Sequence, residues 1–378
     1  MGLFSCITEP LRSCYARLAH GQRYPVSNGQ MRAPGHFASY VVNHHAPGLV
    51  RSNAQVFGEL NVSLSNLQPK VAKKESVNLS PTSALVMSLA GIHVFEINGD
   101  YELSLPKLNR YELMMAGKVQ ESLSQITGTL EWQKLPMDVK HYIHNLHQYR
   151  KAHFMRQALD AIKRGYKQIV LVGNGYNPMV VSLAETYPNV QFYCTDYDSK
   201  VVADCQHIYR KLDLPNINYI VHDCAGEEKL MDCLTSQTDF DPLKSTYSQV
   251  EGLQYYLRPD QEAHLFDDLL SHYSEHEADL PNALTFDFYD AKRVMDPQNI
   301  HGSHYCQVYE TLNHIFGNHF YARPTTIEQY QKSEQNFEPQ EVALPLPPKY
   351  DECVDPHAWD ECSPPMRILQ LTRKHPEN

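Results

Sequence analysis

From His153 onward, apolar and polar positions fall into a regular alternation of two periods. Phe154, Ala158, Leu159 and Ile162 recur at helical spacing through 153–163. They stop at Gly165, a residue that ends helices because it enters the left-handed region without a Cβ clash. Gln168–Val172 (QIVLV) then runs almost wholly apolar, as a strand does when both faces of a parallel sheet are covered. A helix is expected over 178–187, with Asn177 as N-cap and Pro178 as its first residue. A strand follows at 190–195. The next helix, 199–212, turns Val202, Cys205, Ile208 and Leu212 inward, and a third strand covers 217–222. The theme continues with a strand at 247–250, an amphipathic helix at 259–273, a strand at 283–288 (ALTFDF) and a helix at 305–316 before Gly317.

Strands and helices that alternate over short connections predict an α/β fold, a mostly parallel sheet wound by right-handed crossovers. The flanks are less periodic. Residues 1–78 are rich in turn formers (Asn28-Gly29, Pro34-Gly35, Pro47-Gly48) and form an N-terminal extension whose fold is not readable. Residues 79–150 are mostly helical, with a hairpin expected near 95–103 around Asn98-Gly99. The α/β domain occupies 151–323. Residues 324–378 read as an extended, Pro-rich acidic tail. No internal repeat is visible.

Composition narrows the function classes. The chain has 378 residues, 42% of them hydrophobic and 20% charged, which fits a globular protein with a sizeable core. The net charge of -11 and the lack of a basic run exclude an obvious nucleic-acid partner. No apolar run reaches the roughly 18–20 residues that span a bilayer, and none of the start reads as a secretory signal, so none is expected. Nine cysteines, an odd number without a CxxC pair, suit reduced thiols and a cytoplasmic location. Gly2 nearly fits the myristoylation pattern, but Cys6 stands where Ser or Thr is wanted. A lipid anchor at Gly2 or Cys6 is the weaker reading and a frayed terminus the plainer one.

Candidate chemistry clusters where strands hand over to helices. Gly173-Asn174-Gly175 follows the QIVLV strand directly. Glycines there let the backbone turn tightly and approach a ligand at a helix N-terminus. The third glycine of the dinucleotide fingerprint is replaced by Pro178, which disfavours NAD or FAD; a ligand without phosphates, such as S-adenosylmethionine, does not need it. Asp196 ends the next strand, about 20 positions after Gly173, where an acid takes ribose hydroxyls. A helix cap is the alternative for Asp196, although Asp198 is the better-placed cap. Tyr197 adjoins this acid. Asp223 and Cys224 follow the third strand, at the edge where an adenine amino group would sit. Glu251 follows the fourth strand, where a loop reaches the ligand.

The succession GNG, CTDYD, HDC, VEGLQYYL and ALTFDF resembles the leucine carboxyl methyltransferase family over roughly residues 145–320. The family's E-G-x-x-x-Y-L run is matched by Glu251-Gly252 with Tyr256-Leu257. The resemblance implies a Rossmann-like class I methyltransferase sheet with its seventh strand antiparallel, a helical N-terminal cap, and S-adenosylmethionine as cofactor. It also implies an arginine upstream of the glycine strand that holds the cofactor's carboxylate. Arg150 fits that place, with Arg156 as alternative and a solvated helix arginine as the plain reading. Two features depart from the family: Asn174 between the glycines, and a segment 80–91 (SPTSALVMSLAG) that lacks the usual arginine.

An O-methyltransferase acting on a carboxyl or hydroxyl of a protein or small molecule is therefore the leading reading. A carboxylate acceptor is ionised at neutral pH and needs no general base; the catalytic residues are unassigned and no dyad is evident. Tyr255, Tyr256 and Tyr289 are candidates for the acceptor pocket, each with a core or surface role as alternative. His141, His144 and His147 share a helix face, but without HExxH they read as a polar surface, as do His272 and His276, and no metal is expected. Cys353, His357 and Cys362 are poorly spaced for zinc. GxSxG and P-loop motifs are absent. Two other readings stay open: a methyltransferase fold kept as a binding scaffold without activity, and an NAD(P)-dependent oxidoreductase.

Overall fold

The structure is a computed structural model. It describes residues 130–271, 280–295, 324–333, 337–341 and 366–373, with single positions between 107 and 115 and at 307 and 311. In chain order the elements are α1 (Leu130–Lys134), α2 (Met137–Arg164), β1 (Gln168–Val172), α3 (Met179–Thr186), β2 (Gln191–Asp196), α4 (Ser199–Lys211), β3 (Ile217–Val221), α5 (Leu230–Gln237), β4 (Thr246–Val250), a 3-10 turn at Gln254–Tyr256, α6 (Pro259–Ser271), β5 (Ala283–Tyr289), α7 (Ala291–Val294), α8 (Ile327–Ser333), β6 (Phe337–Glu341) and β7 (Met366–Arg373).

The strands form one sheet in the order β3-β2-β1-β4-β5-β7-β6. Neighbours from β3 through β5 pair in parallel. Strand β7 runs antiparallel to both β5 and β6. This is the mostly parallel sheet with its seventh strand antiparallel that the resemblance implies. Its order reverses between β1 and β4, so the loops leaving these two strands diverge and open a crevice at their carboxyl ends.

Residues of β1, β4 and β5 are buried along their whole length, because helices cover both faces. On one face Phe154, Leu159, Val180 and Cys205 pack with Ile169 and Phe192. On the other, Met231, Leu234, Phe266 and Leu270 pack with Val170, Val250 and Phe286. Gly165 ends α2 at φ 116°, and its N–H reaches the carbonyls of Ala161 and Ile162. Asn177 Oδ1 accepts from Met179 N, so the expected cap is made. Pro178 already has helical backbone angles.

The sequence reading needs three corrections. Helix α2 begins at Met137, so the division at 150/151 cuts through a continuous helix. Helix α5, absent from the sequence reading, has only eight residues and sits in a long β3–β4 connection. The stretch after 323 is not simply an extended tail: it supplies α8, β6 and β7. Met366, Ile368, Leu369 and Leu371 of β7 are buried, because the strand fills the place between β5 and β6. Pro339 lies on β6, the last strand in the order, and edge strands are where a sheet tolerates proline.

The N-terminal extension with Gly2 and Cys6, the segment 80–91, the hairpin at 95–103, most of the helix at 305–316, His272 and His276, and the stretch with Cys353, His357 and Cys362 lie outside the described residues. So does most of the cap at 79–129. No described helix is long and apolar enough to cross a membrane.

Candidate functional site

The turn after β1 is stitched to the end of β2. Gly173 and Gly175 hold φ of 62° and 54°, a region costly for residues with a Cβ. Gly173 N donates to Thr195 Oγ1 and Asn174 N to the Thr195 carbonyl at 2.8 Å. Gly175 N donates to Asp196 Oδ2 at 3.1 Å, and Asp198 N donates to Asp196 Oδ1 at 2.9 Å. The Asp196 carboxylate thus faces the glycine turn. It is 8% exposed; burial pushes its pKa up to about 6, against the pull of the Asp198 and Gly175 N–H donors. The Tyr197 N–H adds a further, weaker pull, and a carboxylate with about four lone-pair sites still has capacity to accept from a ligand. Asp198 does the capping instead, accepting from Lys200 N at 2.9 Å.

Residues that the sequence reading passed over hold this turn from behind. Tyr219 Oη donates to the Gly175 carbonyl at 2.6 Å, and Tyr111 Oη donates to the Tyr176 carbonyl at 2.9 Å. The rings of Tyr111, Tyr209 and Tyr219 stack in succession, and Tyr176 Oη donates to Asp204. Beyond β2 the surface opens. Tyr197 is 70% exposed beside Asp196. Asp223 is exposed and accepts from Ala225 N at 2.9 Å. Cys224 is buried with Sγ 3.6 Å from His222 Nδ1. Burial pushes its thiol up to about 12, so it stays protonated at neutral pH.

The loop after β4 is built differently. Arg150 Nε meets Glu251 Oε1 at 3.0 Å, and Arg150 Nη1 lies 3.7 Å from Asp287 Oδ2. Lys151 Nζ meets Glu251 Oε2 at 2.7 Å, and Asn177 Nδ2 reaches the same oxygen at 3.4 Å. Asp287 also accepts from Gly252 N at 2.7 Å and from Tyr255 Oη. Two cations therefore face two carboxylates in a buried, balanced cluster. Burial opposes the Arg150 charge, but Asp287 and Glu251 more than offset this and hold its pKa above the ordinary value. Burial also lowers Lys151 and raises Asp287. Gly252 sits at φ 66°, and a Cβ there would lie 2.8 Å from Arg150 Nη1. The glycine after Glu251 is what lets the guanidinium lie against this backbone.

The candidates thus separate into two groups. Gly173, Asn174, Gly175, Asp196 and Tyr197 adjoin one another at the ends of β1 and β2, with Asp223 and Cys224 after the neighbouring β3. Arg150 and Glu251 come together with Tyr255 at the ends of β4 and β5. Arg150, expected to hold a ligand carboxylate, is paired with Glu251 through Nε and lies beside Asp287 through Nη1. Tyr255 and Tyr289 are buried with ring centroids 5.0 Å apart, and Tyr256 is half-buried. Lys151 and Asp287 escaped the sequence reading, although an acid within the apolar run ALTFDF was a visible signal. Among the described residues no group of three His, Cys, Asp or Glu side chains is arranged to hold a metal. His141, His144 and His147 lie along α2, with side chains outside the description.

Residues 111–270 match the family model for leucine carboxyl methyltransferase. That span runs through α6 and contains every candidate site residue except Tyr289. No curated protein sequence matches the chain. Several solved structures are similar. A DUF574 family protein from Streptomyces avermitilis is 14% identical, with 70% of this chain and 95% of that one covered at a TM-score of 0.46. The magnesium protoporphyrin IX methyltransferase of Synechocystis with bound SAH is 12% identical, with 71% and 100% covered at 0.38. An O-methyltransferase family protein from Burkholderia thailandensis is 9% identical, with 72% of each chain covered at 0.38.

Proposed function

We propose that this protein, with its leucine carboxyl methyltransferase segment and class I methyltransferase sheet, is an enzyme that transfers the methyl group of S-adenosylmethionine to an oxygen acceptor. The observation that carries the reading is the Asp196 carboxylate, held by Gly175 N and Asp198 N against the positive-φ glycine turn. It keeps capacity to accept from a ligand, which suits a vicinal diol.

The chain's residues fit the cofactor. Asp196 would take the ribose hydroxyls, and the Gly173–Gly175 backbone would allow close approach. Tyr197, Asp223 and Cys224 would hold the adenine, Tyr197 by its exposed ring and Asp223 and Cys224 at the amino group. When bound, S-adenosylmethionine supplies an electrophilic methyl carbon. The chain's task is to hold an acceptor oxygen in line with that carbon and to keep water away. Tyr255, Tyr256 and Tyr289 border the acceptor side. Arg150, Lys151, Glu251 and Asp287 set the position of that wall from within the protein.

The acceptor is a carboxyl or hydroxyl of a protein or small molecule. A carboxylate acceptor suits this reading, since it arrives ionised and needs no base to activate it. The chain works in the cytoplasm, where free thiols such as those of Cys194, Cys205, Cys224 and Cys233 stay reduced.

The second reading, a binding protein that keeps the fold without transfer, is favoured by the closed charge balance around Arg150. Calorimetry with S-adenosylmethionine, S-adenosylhomocysteine and NAD, followed by incubation of labelled methyl donor with cell extracts, separates the readings. Binding of both sulfur nucleosides with label entering an acceptor is expected. Binding without any label transfer supports the second reading, and binding of NAD alone overturns both.

A further inference from the structure

Arg150, which the resemblance implies for the amino-acid end of the cofactor, is engaged by Glu251 and Asp287. Two side chains at the crevice between β1 and β4 have the opposite condition. Asn174 is 9% exposed and Gln254 is 7% exposed. Asn174 Nδ2 and both Gln254 Nε2 and Oε1 are buried without a hydrogen-bond partner. A buried polar group left unpaired costs roughly 1–3 kcal/mol, and native chains keep few of them. Both residues sit just beyond strand carboxyl ends, Asn174 in the turn after β1 and Gln254 at the start of the 3-10 turn after β4.

The two positions border one site. Val172 pairs with Val250 in the sheet, so Asn174 and Gln254 leave neighbouring strands at the point where the strand order reverses. Leu253 joins them: it precedes Gln254, and its Cδ1 lies 3.1 Å from where a Cβ on Gly173 would be. Ligands of such sheets bind there.

We infer that Asn174 and Gln254 receive the amino-acid end of the cofactor, in the place where the family pattern would use Arg150. Asn174 Nδ2 and Gln254 Nε2 donate to its carboxylate, and Gln254 Oε1 accepts from its ammonium group. The half-buried Leu253 side chain turns aside to admit it. Two primary amides match a zwitterion because together they offer donors and an acceptor without adding net charge beside the balanced cluster. This inference rests on the methyltransferase reading.

The test compares S-adenosylhomocysteine with 5′-methylthioadenosine, which keeps the nucleoside and sulfur but lacks the amino-acid end. Calorimetry uses the full chain as wild type, Asn174→Ala and Gln254→Leu. Each variant should weaken S-adenosylhomocysteine binding by about tenfold or more and leave 5′-methylthioadenosine binding unchanged. Without ligand, Gln254→Leu should keep or raise Tm, because it removes an unpaired buried amide. Unchanged S-adenosylhomocysteine affinity, an equal loss for both ligands, or a lowered Tm in Gln254→Leu would overturn the inference while leaving the methyltransferase reading intact. A wild-type chain that binds neither nucleoside overturns that reading and this inference with it.

Discussion

The β1–β2 side of the crevice and its β4–β5 side each centre on a buried aspartate, but the two are held by different means. Asp196 is bound by the N–H groups of Gly175 and Asp198, close by in the turn and the same loop. Asp287 is bound by Arg150 and Tyr255 side chains as well as by Gly252 N. Backbone donors fix Asp196 while leaving acceptor capacity on its oxygens. Side-chain ions around Asp287 balance one another. In the proposed reading the first side binds and the second supports, although both lie at carboxyl ends of the same sheet.

The largest effect should come from breaking the supporting side. Asp287→Ala leaves Arg150 with one carboxylate and strips the acceptor from Tyr255 Oη and Gly252 N. Removing one member of a buried ion cluster costs about 3–5 kcal/mol, so denaturant unfolding should show a loss of that order. A loss below about 1 kcal/mol would mean that the cluster is not the support described.

Asp196→Ala should act on binding instead. Loss of two hydrogen bonds from the ribose to a carboxylate should weaken S-adenosylhomocysteine by at least about 100-fold in calorimetry. Unchanged affinity would remove Asp196 from the ribose role and erase the contrast between the two sides.

The pH dependence sharpens the contrast further. Asp196 ionises near 6 in the folded chain against an ordinary 3.8. Its raised value means that the folded state holds the proton more tightly than the unfolded state. Between pH 6 and 4, lowering the pH through this group therefore stabilises the ligand-free fold, while at higher pH its buried charge works against folding. Cofactor binding, on the proposed reading, needs the carboxylate and runs the other way. Affinity should be level above pH 6 and fall about tenfold per unit below it. Calorimetry from pH 7.5 to pH 5 checks this, and Asp196→Asn should flatten the profile.

The smallest effect belongs to Tyr197→Ala. The ring is 70% exposed, so stability should change by less than about 0.5 kcal/mol. Loss of stacking on the adenine should still cost on the order of 1 kcal/mol, about fivefold in affinity. An unaltered dissociation constant would take Tyr197 out of the binding side.

Much of the binding side was legible because its signals are local. Gly173, Gly175, Asn177 and Asp196 stand at fixed offsets from strands whose apolar runs are plain in the chain. The supporting side was not, because its pairs are remote: Arg150 and Glu251 are 101 residues apart. Nothing near Arg150 in LHQYRKAH tells whether its charge meets a ligand or an internal carboxylate. Lys151 and Asp287 were missed for the same reason, and Gln254 was passed over inside a run read for its glutamate, glycine and tyrosines.

The chain by itself determined the alternation of elements, the glycine turn and the spacing to Asp196. Each of these depends on backbone conformation and side-chain period within one or two neighbouring elements. The tertiary structure alone decided that β7 enters between β5 and β6, that Arg150 is spent on Glu251 and Asp287, and that Asn174 and Gln254 are left with unpaired amides. Those outcomes depend on which distant groups compete for the same hydrogen bonds and charges once the sheet has closed, and that competition leaves no period in the sequence.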